Sequence, residues 1–474
     1  MGASTKIKIK ETFQRLCQIE QDSDFFSLSY NKIPLWVYVR EAAMLAASGL
    51  IRSSGQTASS QRINLSNLIR RVFYFLINFY KLFGNEVIIF TNERHLELDS
   101  NKSRYYNQYA ELVLNDTEFK KVLIFEFPTA MTRQYRRVKY DRYLPLDFVL
   151  AIKQVLSPLS FFFSRKIKKE YHDKLQRSNF WRDQEIKKIL KLCVSSAYNI
   201  NYYGVFLKFI KFLNPKAEMI YSCMAGYDKF PEITEIQHGL ILDFHAQYIY
   251  PKIPALNDYL RQKKMIVFSN DIRDLLIDRG YFSENIKTAP NPKIYFYFLK
   301  SLEKDFFQKK LSPKILIISD WGGNFQKIFR KIVLEIEKNR KRFKDWEISL
   351  ILHPTEENVY EDLNLTKVKV FENHEVSLWG ILSEAVCIIG INSTVLGEAT
   401  YFGCFDIILK DKELEDQKYY IDWLCKGYSH KAMVPPEEFI EWFEINEQKI
   451  INHLSTKKEI MLKHYEKFLA KNRL

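Results

Sequence analysis

The residues in this sequence whose types can do chemistry fall into four short clusters, each placed directly after an apolar run. Glu235-Ile236-Gln237-His238-Gly239 is the first, trailed by Asp243, His245 and Tyr248. His353-Pro354-Thr355 is the second, Asn392-Ser393-Thr394 with Glu398 the third, and Trp321-Gly322-Gly323-Asn324 a weaker fourth. An imidazole titrates near neutrality, so His238 can take a proton from a sugar hydroxyl at pH 7. Gly239 beside it lets a ligand approach closely. The plain alternative is a core histidine satisfied by hydrogen bonds. Glu235 and Asp243 stand behind His238 as candidate bases, and Gln237 and His245 as acceptor-binding residues. His353 can donate to a phosphate oxygen, and Pro354 ends its strand. Ser393 and Thr394 offer hydroxyl donors, with Asn392, at the start of a helix whose positive end faces the same place. Simple N-capping is the competing account of both hydroxyls. Glu398, one turn in, would accept from ribose hydroxyls or favour the helix N-terminus. Gly322, Gly323 and Asn324 look like a phosphate-cradling loop. Yet neither GxGxxG nor GK[ST] occurs, which weighs against an ATPase or a dehydrogenase. Nothing in these clusters requires a metal or a bound cofactor.

Such clusters need strands to carry them. Apolar runs at 86–95 and 120–128, with a Tyr-rich helical stretch around 105–114 between them, imply a parallel sheet. Residues 217–226, 234–242 and 265–270 read as further strands, the last followed by a helix with Asp271 near its N-cap and Gly280 at its end. Residues 287–295 hold two prolines and read as a crossing between domains. A second block follows, with strands at 314 onward, 346–354, 368–372, 385–394 and 404–409, a helix from Phe325, and a helical tail from Glu437. Two successive parallel blocks predict a cleft between facing strand ends, where ligands of such sheets bind.

Two stretches stand outside that rhythm. In residues 68–83 the polar side chains Arg70, Arg71, Asn78 and Lys81 share one helical strip and the rest of the wheel is apolar. Such a helix is either a core helix with a basic edge or an interfacial membrane helix. Residues 129–215 read as a helical insertion in which basic runs (Arg133 to Arg142, Arg165 to Lys169) flank an apolar stretch. That pattern fits an anionic membrane surface or a solvated charged face.

Composition sets the limits. The chain has 474 residues, 71 Lys plus Arg and 57 Asp plus Glu, for a net charge of +14, with 47% hydrophobic residues. That is globular and excludes a disordered chain. With 15 Gly and 14 Pro, collagen and turn-dense all-β folds are excluded as well. No run of 18 apolar residues suggests a spanning helix. The six cysteines form no CxxC and sit in apolar segments, as buried thiols in a reducing compartment do. Residues 1–10 lack the apolar core of a signal peptide, so a cytoplasmic location is expected. The basic surplus attracts phosphate-bearing partners. No nucleic-acid module is visible, and nucleic acid is not expected as a partner.

The order Gln237-His238-Gly239, His353-Pro354, Ser393-Thr394 and then Glu398-Ala399 resembles that of GT-B glycosyltransferases of bacterial surface polysaccharides. It is most similar to families that use CMP-activated acidic sugars: sialic, pseudaminic and ulosonic (Kdo) acid transferases. It also resembles teichoic-acid glycerophosphotransferases with CDP-glycerol donors. In the sialyltransferases an acidic motif stands where Gln237-His238-Gly239 stands here, a departure that leaves the base to be chosen among His238, Glu235 and Asp243. The resemblance implies an α/β protein of two Rossmann-like domains facing across a cleft. Residues 1–300 would form the acceptor domain, with the helical insertion at about 129–215, and residues 301–474 the donor domain. It implies a metal-independent glycosyltransferase, a nucleotide-sugar donor, a lipid-linked glycan acceptor, and basic helices at the inner face of the plasma membrane.

Overall fold

In the computed structural model the described residues are 9–48, 65–92, 96–99, 104–115, 121–127, 138, 140–222, 229–237, 241, 243, 245–289, 291, 294, 312–320, 323–353, 360–372, 376, 378–410 and 430–471. The chain forms two compact units, Ile7–Asn291 and Pro292–Leu474.

The first unit opens with α1 (Ile9–Asp22), a short hairpin of β1 (Ser29–Tyr30) and β2 (Ile33–Pro34), α2 (Trp36–Ala47) and α3 (Leu65–Ile77). Its sheet starts with β3 (Val87–Asn92). A hairpin of β4 (Leu96–Asp99) and β5 (Arg104–Asn107) follows, then α4 (Gln108–Asn115), β6 (Val122–Phe127) and β7 (Tyr143–Pro145). Three helices come next, α5 (Asp147–Val155), α6 (Phe161–Arg177) and α7 (Asp183–Leu213). The unit ends with β8 (Glu218–Ser222), β9 (Thr234–Ile236), α8 (Pro254–Gln262), β10 (Lys264–Val267), α9 (Asn270–Asp278) and β11 (Ile286–Thr288). Every pairing of the seven-stranded sheet is parallel, in the order β11-β10-β9-β8-β3-β6-β7. VIIFTN and VLIFEF are buried at every position because helices cover both faces of a parallel sheet.

The second unit holds β12 (Lys314–Ile318), α10 (Gly323–Lys338), β13 (Glu347–Ile351), β14 (Val368–Phe371), α11 (Leu378–Glu384), β15 (Cys387–Gly390), α12 (Thr394–Ala399), β16 (Phe405–Leu409), β17 (Lys431–Val434) and α13 (Phe439–Lys471). Its six strands are all parallel, ordered β14-β13-β12-β15-β16-β17. Alternate residues of each strand feed two cores. Ile315, Ile317 and Ile389 pack with Phe329 and Ile332 of α10. Leu316, Ile318 and Ile388 pack with Leu382 and Leu396 on the other face. Phe443 of α13 belongs to the first core and Met461 to the second, so this 33-residue helix serves both layers.

Both sheets are doubly wound, so the α/β expectation holds, with several local corrections. Tyr143–Pro145 forms an edge strand inside the stretch read as helical; proline is tolerated there because an edge needs no inward N–H. Tyr105 and Tyr106 sit on β5, not on a helix, and α4 starts only at Gln108. Lys287 and Thr288, read as a domain crossing, close the sheet as part of β11. Asp271 lies in the first turn of α9, near the N-cap as expected, and the cap itself is Ser269, whose Oγ accepts from Ile272 N–H at 3.2 Å. Gly323 and Asn324 begin α10 rather than forming a loop before Phe325. Gly280 ends α9 as expected, in the left-handed region at φ +99°.

Candidate functional site

Strand order locates the place where a ligand pocket forms. In the second sheet the order reverses between β12 and β15, and the loops after β13, β12 and β15 meet there. Ser319, fully buried at the end of β12, accepts the backbone N–H of His353 at 2.6 Å. Asp320, the next residue, accepts the N–H of Asn392 at 2.8 Å. Two adjacent side chains thus hold the backbones that carry the second and third sequence clusters. His353, Asn392 and Ser393 are half-buried, and Thr394 is exposed. Ser393 caps α12, accepting from Val395 N–H at 3.3 Å. That helix has six residues and continues only as a 3₁₀ turn, Thr400–Phe402, so hydroxyls and amides matter here more than a macrodipole. Gly390 permits the packing: a Cβ there would meet Leu396 Cδ2 at 3.0 Å. Glu398 lies half-buried in α12. Pro354 and Gly322 lie outside the described residues, and the side chain of Asn324 is likewise not described.

Sequence reasoning missed Ser319 and Asp320. The signal was present in KILIISD, where two polar residues follow the apolar run ILII of the first strand in the second block.

The first unit places the other cluster around the end of β9. His238 and Gly239 lie outside the described residues. Glu235 is 0% exposed; it pairs with Lys263 at 2.9 Å and accepts from Tyr248 Oη at 2.7 Å. Gln237 is buried, and its Oε1 accepts Phe268 N–H at 2.8 Å, tying the end of β9 to β10. Both side chains therefore brace the sheet end. Asp243 is half-buried in a turn.

The loop 245–250 is held with unusual care. Arg40 on α2 is fully buried, pairs with Glu20 of α1 at 2.7 Å, and donates to the carbonyls of Ala246 and Ile249, the latter at 2.6 Å. Lys229 Nζ donates to Gln247 O at 3.3 Å, and Tyr281 Oη to Tyr248 O at 2.8 Å. His245 opens this loop, half-buried, its ring edge-on to Tyr248 and its Nε2 3.8 Å from Glu41. Residues 1–67 hold none of the four sequence clusters. They supply Glu20, Arg40 and Glu41 to this loop. The clue was an Arg-Glu pair inside the otherwise apolar WVYVREAAMLAA.

Among the described residues no cluster of three or more His, Cys, Asp or Glu side chains could hold a metal ion.

The sequence matches no protein-family model, and no curated protein is similar to it. Solved structures similar in overall course include the UDP-GlcNAc 2-epimerase of Neisseria meningitidis bound to UDP-GlcNAc. It shows 13% identity and a TM-score of 0.41 over 81% of this chain and 100% of that one. The wall teichoic acid polymerase TagF gives 9% identity and a TM-score of 0.42 over 85% and 92%. The glycotransferase of kitacinnamycin gives 11% and 0.36 over 82% and 97%. At such identities and scores, function has to be argued from this chain's own residues.

Proposed function

We propose that the chain is a GT-B glycosyltransferase that moves an acidic sugar, of the nonulosonic or Kdo class, from a CMP donor to a capsule or lipopolysaccharide glycan. The observation that carries this reading is the pair Ser319 and Asp320, which fix the backbones of His353 and Asn392 at the switch point of a doubly wound sheet. His353, Ser393 and Thr394 hold the donor phosphate, and Glu398 takes the ribose hydroxyls. His238 accepts the proton of the acceptor hydroxyl as that oxygen forms its bond to the anomeric carbon. The bond from that carbon to the CMP oxygen breaks with its electron pair leaving on the phosphate, through an oxocarbenium-like state. The charge that grows on the phosphate is what His353 and the hydroxyls offset. Glu235 and Gln237 brace the strand end that precedes His238 in the chain. The donor is the only nucleotide needed; the acceptor is lipid-linked, and the enzyme works at the inner face of the plasma membrane.

Thermal shift tests the donor class. CMP should raise the melting temperature in proportion to its affinity, by about 2.7 kcal/mol of stability at a hundredfold excess over Kd. His353→Ala should cut turnover at least about tenfold while the protein without ligand melts as before. Stabilisation by CDP-glycerol without CMP would move the chain to polyol-phosphate transfer. No response to CMP, CDP-glycerol or UDP-sugars would end the enzymatic reading.

A further inference from the structure

Helix α3 is mounted inside out. Arg71 is buried and pairs with Glu126 of β6 at 3.0 Å and with Asp147 of α5 at 2.6 Å. Phe75, 40° away on the wheel, also points inward and stacks on Phe148 of α5 at 5.3 Å. The opposite face is therefore turned out. Ile69, Phe73, Leu76 and Ile77 lie within about 100° of one another on that face, and all four are exposed, Phe73 by 62%.

The neighbouring helices extend this face. Tyr198 and Tyr202 of α7 donate to the Lys153 and Val149 carbonyls of α5, so α5 lies against both α3 and α7. Asn214, just past α7, donates to Leu82 O at 2.7 Å and ties the end of α7 to the 3₁₀ turn, Phe79–Leu82, that follows α3. Along the Tyr198–Tyr202 stripe of α7 come Val205, Phe209 and Phe212, exposed by up to 80%. Val155 at the end of α5 is 78% exposed, and Phe161 and Phe162 at the start of α6 are exposed by 63% and 67%. A patch of this size on one layer of helices is unusual for a surface facing only water.

Charge decides the occupant. Residues 65–83, 148–169 and 192–213, which build this layer, contain no Asp or Glu and ten Lys or Arg. Arg70, Arg165, Lys168, Lys169 and Lys208 are exposed on it. A second copy of the chain would set these cations against themselves. An anionic bilayer surface takes aromatic and aliphatic side chains at its acyl boundary and lysines at its head groups. We infer that the outward faces of α3, α5, the start of α6 and α7 form one docking surface for an anionic lipid membrane. The chain lies on the bilayer rather than crossing it: among the described residues no single helix is long and apolar enough to span, and the one pair that qualifies by composition, Asp147–Val155 with Ser157–Arg177, is bent by 60°.

The inference deepens the proposed work at a membrane, but its test reads partition and not turnover, so it fails or survives apart from sugar transfer. The full-length chain should float with vesicles of phosphatidylethanolamine and phosphatidylglycerol, less so as salt rises, and remain free with phosphatidylcholine alone. Phe73→Ser combined with Phe162→Ser should lower the partition coefficient at least about tenfold. Lys168→Gln with Lys169→Gln should lower it about fivefold per residue. Both variants alter only exposed side chains and should keep the wild-type melting temperature. Wild-type protein that ignores anionic vesicles, or a serine variant that floats like wild type, overturns the proposal. So does a concentration-dependent dimer in lipid-free solution that the same serine substitutions abolish.

Discussion

In residues 7–291 the helices over the sheet are tied to it and to one another by buried ion pairs: Arg40 with Glu20, Arg71 with Glu126 and Asp147, and Lys263 with Glu235. In residues 292–474, whose strands follow the same 3-2-1-4-5-6 order, apolar packing dominates. Among the described residues there, the buried cation is Lys457 on α13, which donates to the carbonyls of Leu382 and Phe402 at 3.0 and 2.6 Å and touches Cys404 Sγ at 3.4 Å. Burial lowers the Lys457 ammonium below its ordinary pKa, and burial pushes the Glu126 carboxyl up against the pull of Arg71. The difference matters because a buried ion pair is seldom the most stable way to fill a core; apolar replacements often do as well. Arg71, buried on the inner face of α3, leaves Ile69, Phe73, Leu76 and Ile77 outside. An arrangement that hydropathy alone would reverse is retained, which fits an outer face with its own use.

That contrast can be broken at its anchors. Arg71→Met would leave Glu126 and Asp147 buried beside a neutral side chain, at a cost of about 3–5 kcal/mol. Lys457→Met removes donors to two carbonyls and should cost about 1–3 kcal/mol. Urea titration followed by tryptophan fluorescence measures both. An Arg71→Met protein that unfolds at the wild-type midpoint would show that α3 is held by Phe75 and its neighbours, not by charge.

The switch points offer a sharper version. Asp320→Ala removes the acceptor that fixes Asn392, with an expected loss of about 1–3 kcal/mol and weaker nucleotide binding. At the first sheet's switch point, Thr91 accepts from Asn107 Nδ2 at 2.7 Å and from Ser222 Oγ at 3.2 Å. Thr91→Val should lower stability by a comparable amount and leave nucleotide affinity unchanged. Equal effects of the two on affinity, read by calorimetric titration with CMP, would erase the functional distinction drawn between the sheets.

Much of this was legible in the sequence, for a reason that also sets its reach. Parallel strands buried on both faces must be continuous apolar runs, so β3, β6, β12, β13 and β16 stood out. Short edge strands carry no such run, and β7, β11 and β17 were missed. The polar ends of strands announced His353 and Asn392. The side chains that hold their backbones, Ser319 and Asp320, gave a weaker signal, two polar residues after one apolar run, because a serine or aspartate that accepts one amide resembles any loop residue. The strip Arg70, Arg71, Asn78 and Lys81 was seen, yet periodicity reports that two faces differ and not which one turns inward. Only the partners Glu126 and Asp147, 55 and 76 residues away, decide that.

The smallest effect concerns pH and belongs to the second unit. His453 on α13 is buried, with Nε2 2.8 Å from Gly403 O and Nδ1 3.2 Å from Thr456 Oγ1; its ring centroid lies 4.5 Å from that of His430. Burial lowers its pKa below the ordinary 6.5, and the charges of His430 and Lys457 act in the same direction against the pull of the Gly403 carbonyl. Once unfolded, the imidazole takes up its proton near 6.5; folded, it resists to lower pH. Between those values the unfolded chain binds more protons, so acid favours unfolding. The contribution is complete above about pH 6.5 and is lost as pH falls below it. His453→Gln keeps a donor for Gly403 O and removes the titration. The slope of melting temperature against pH between 6.5 and 5 should therefore be shallower in the variant than in the wild type. Identical slopes would mean that His453 protonates in place, with the Gly403 carbonyl and solvent accommodating the charge.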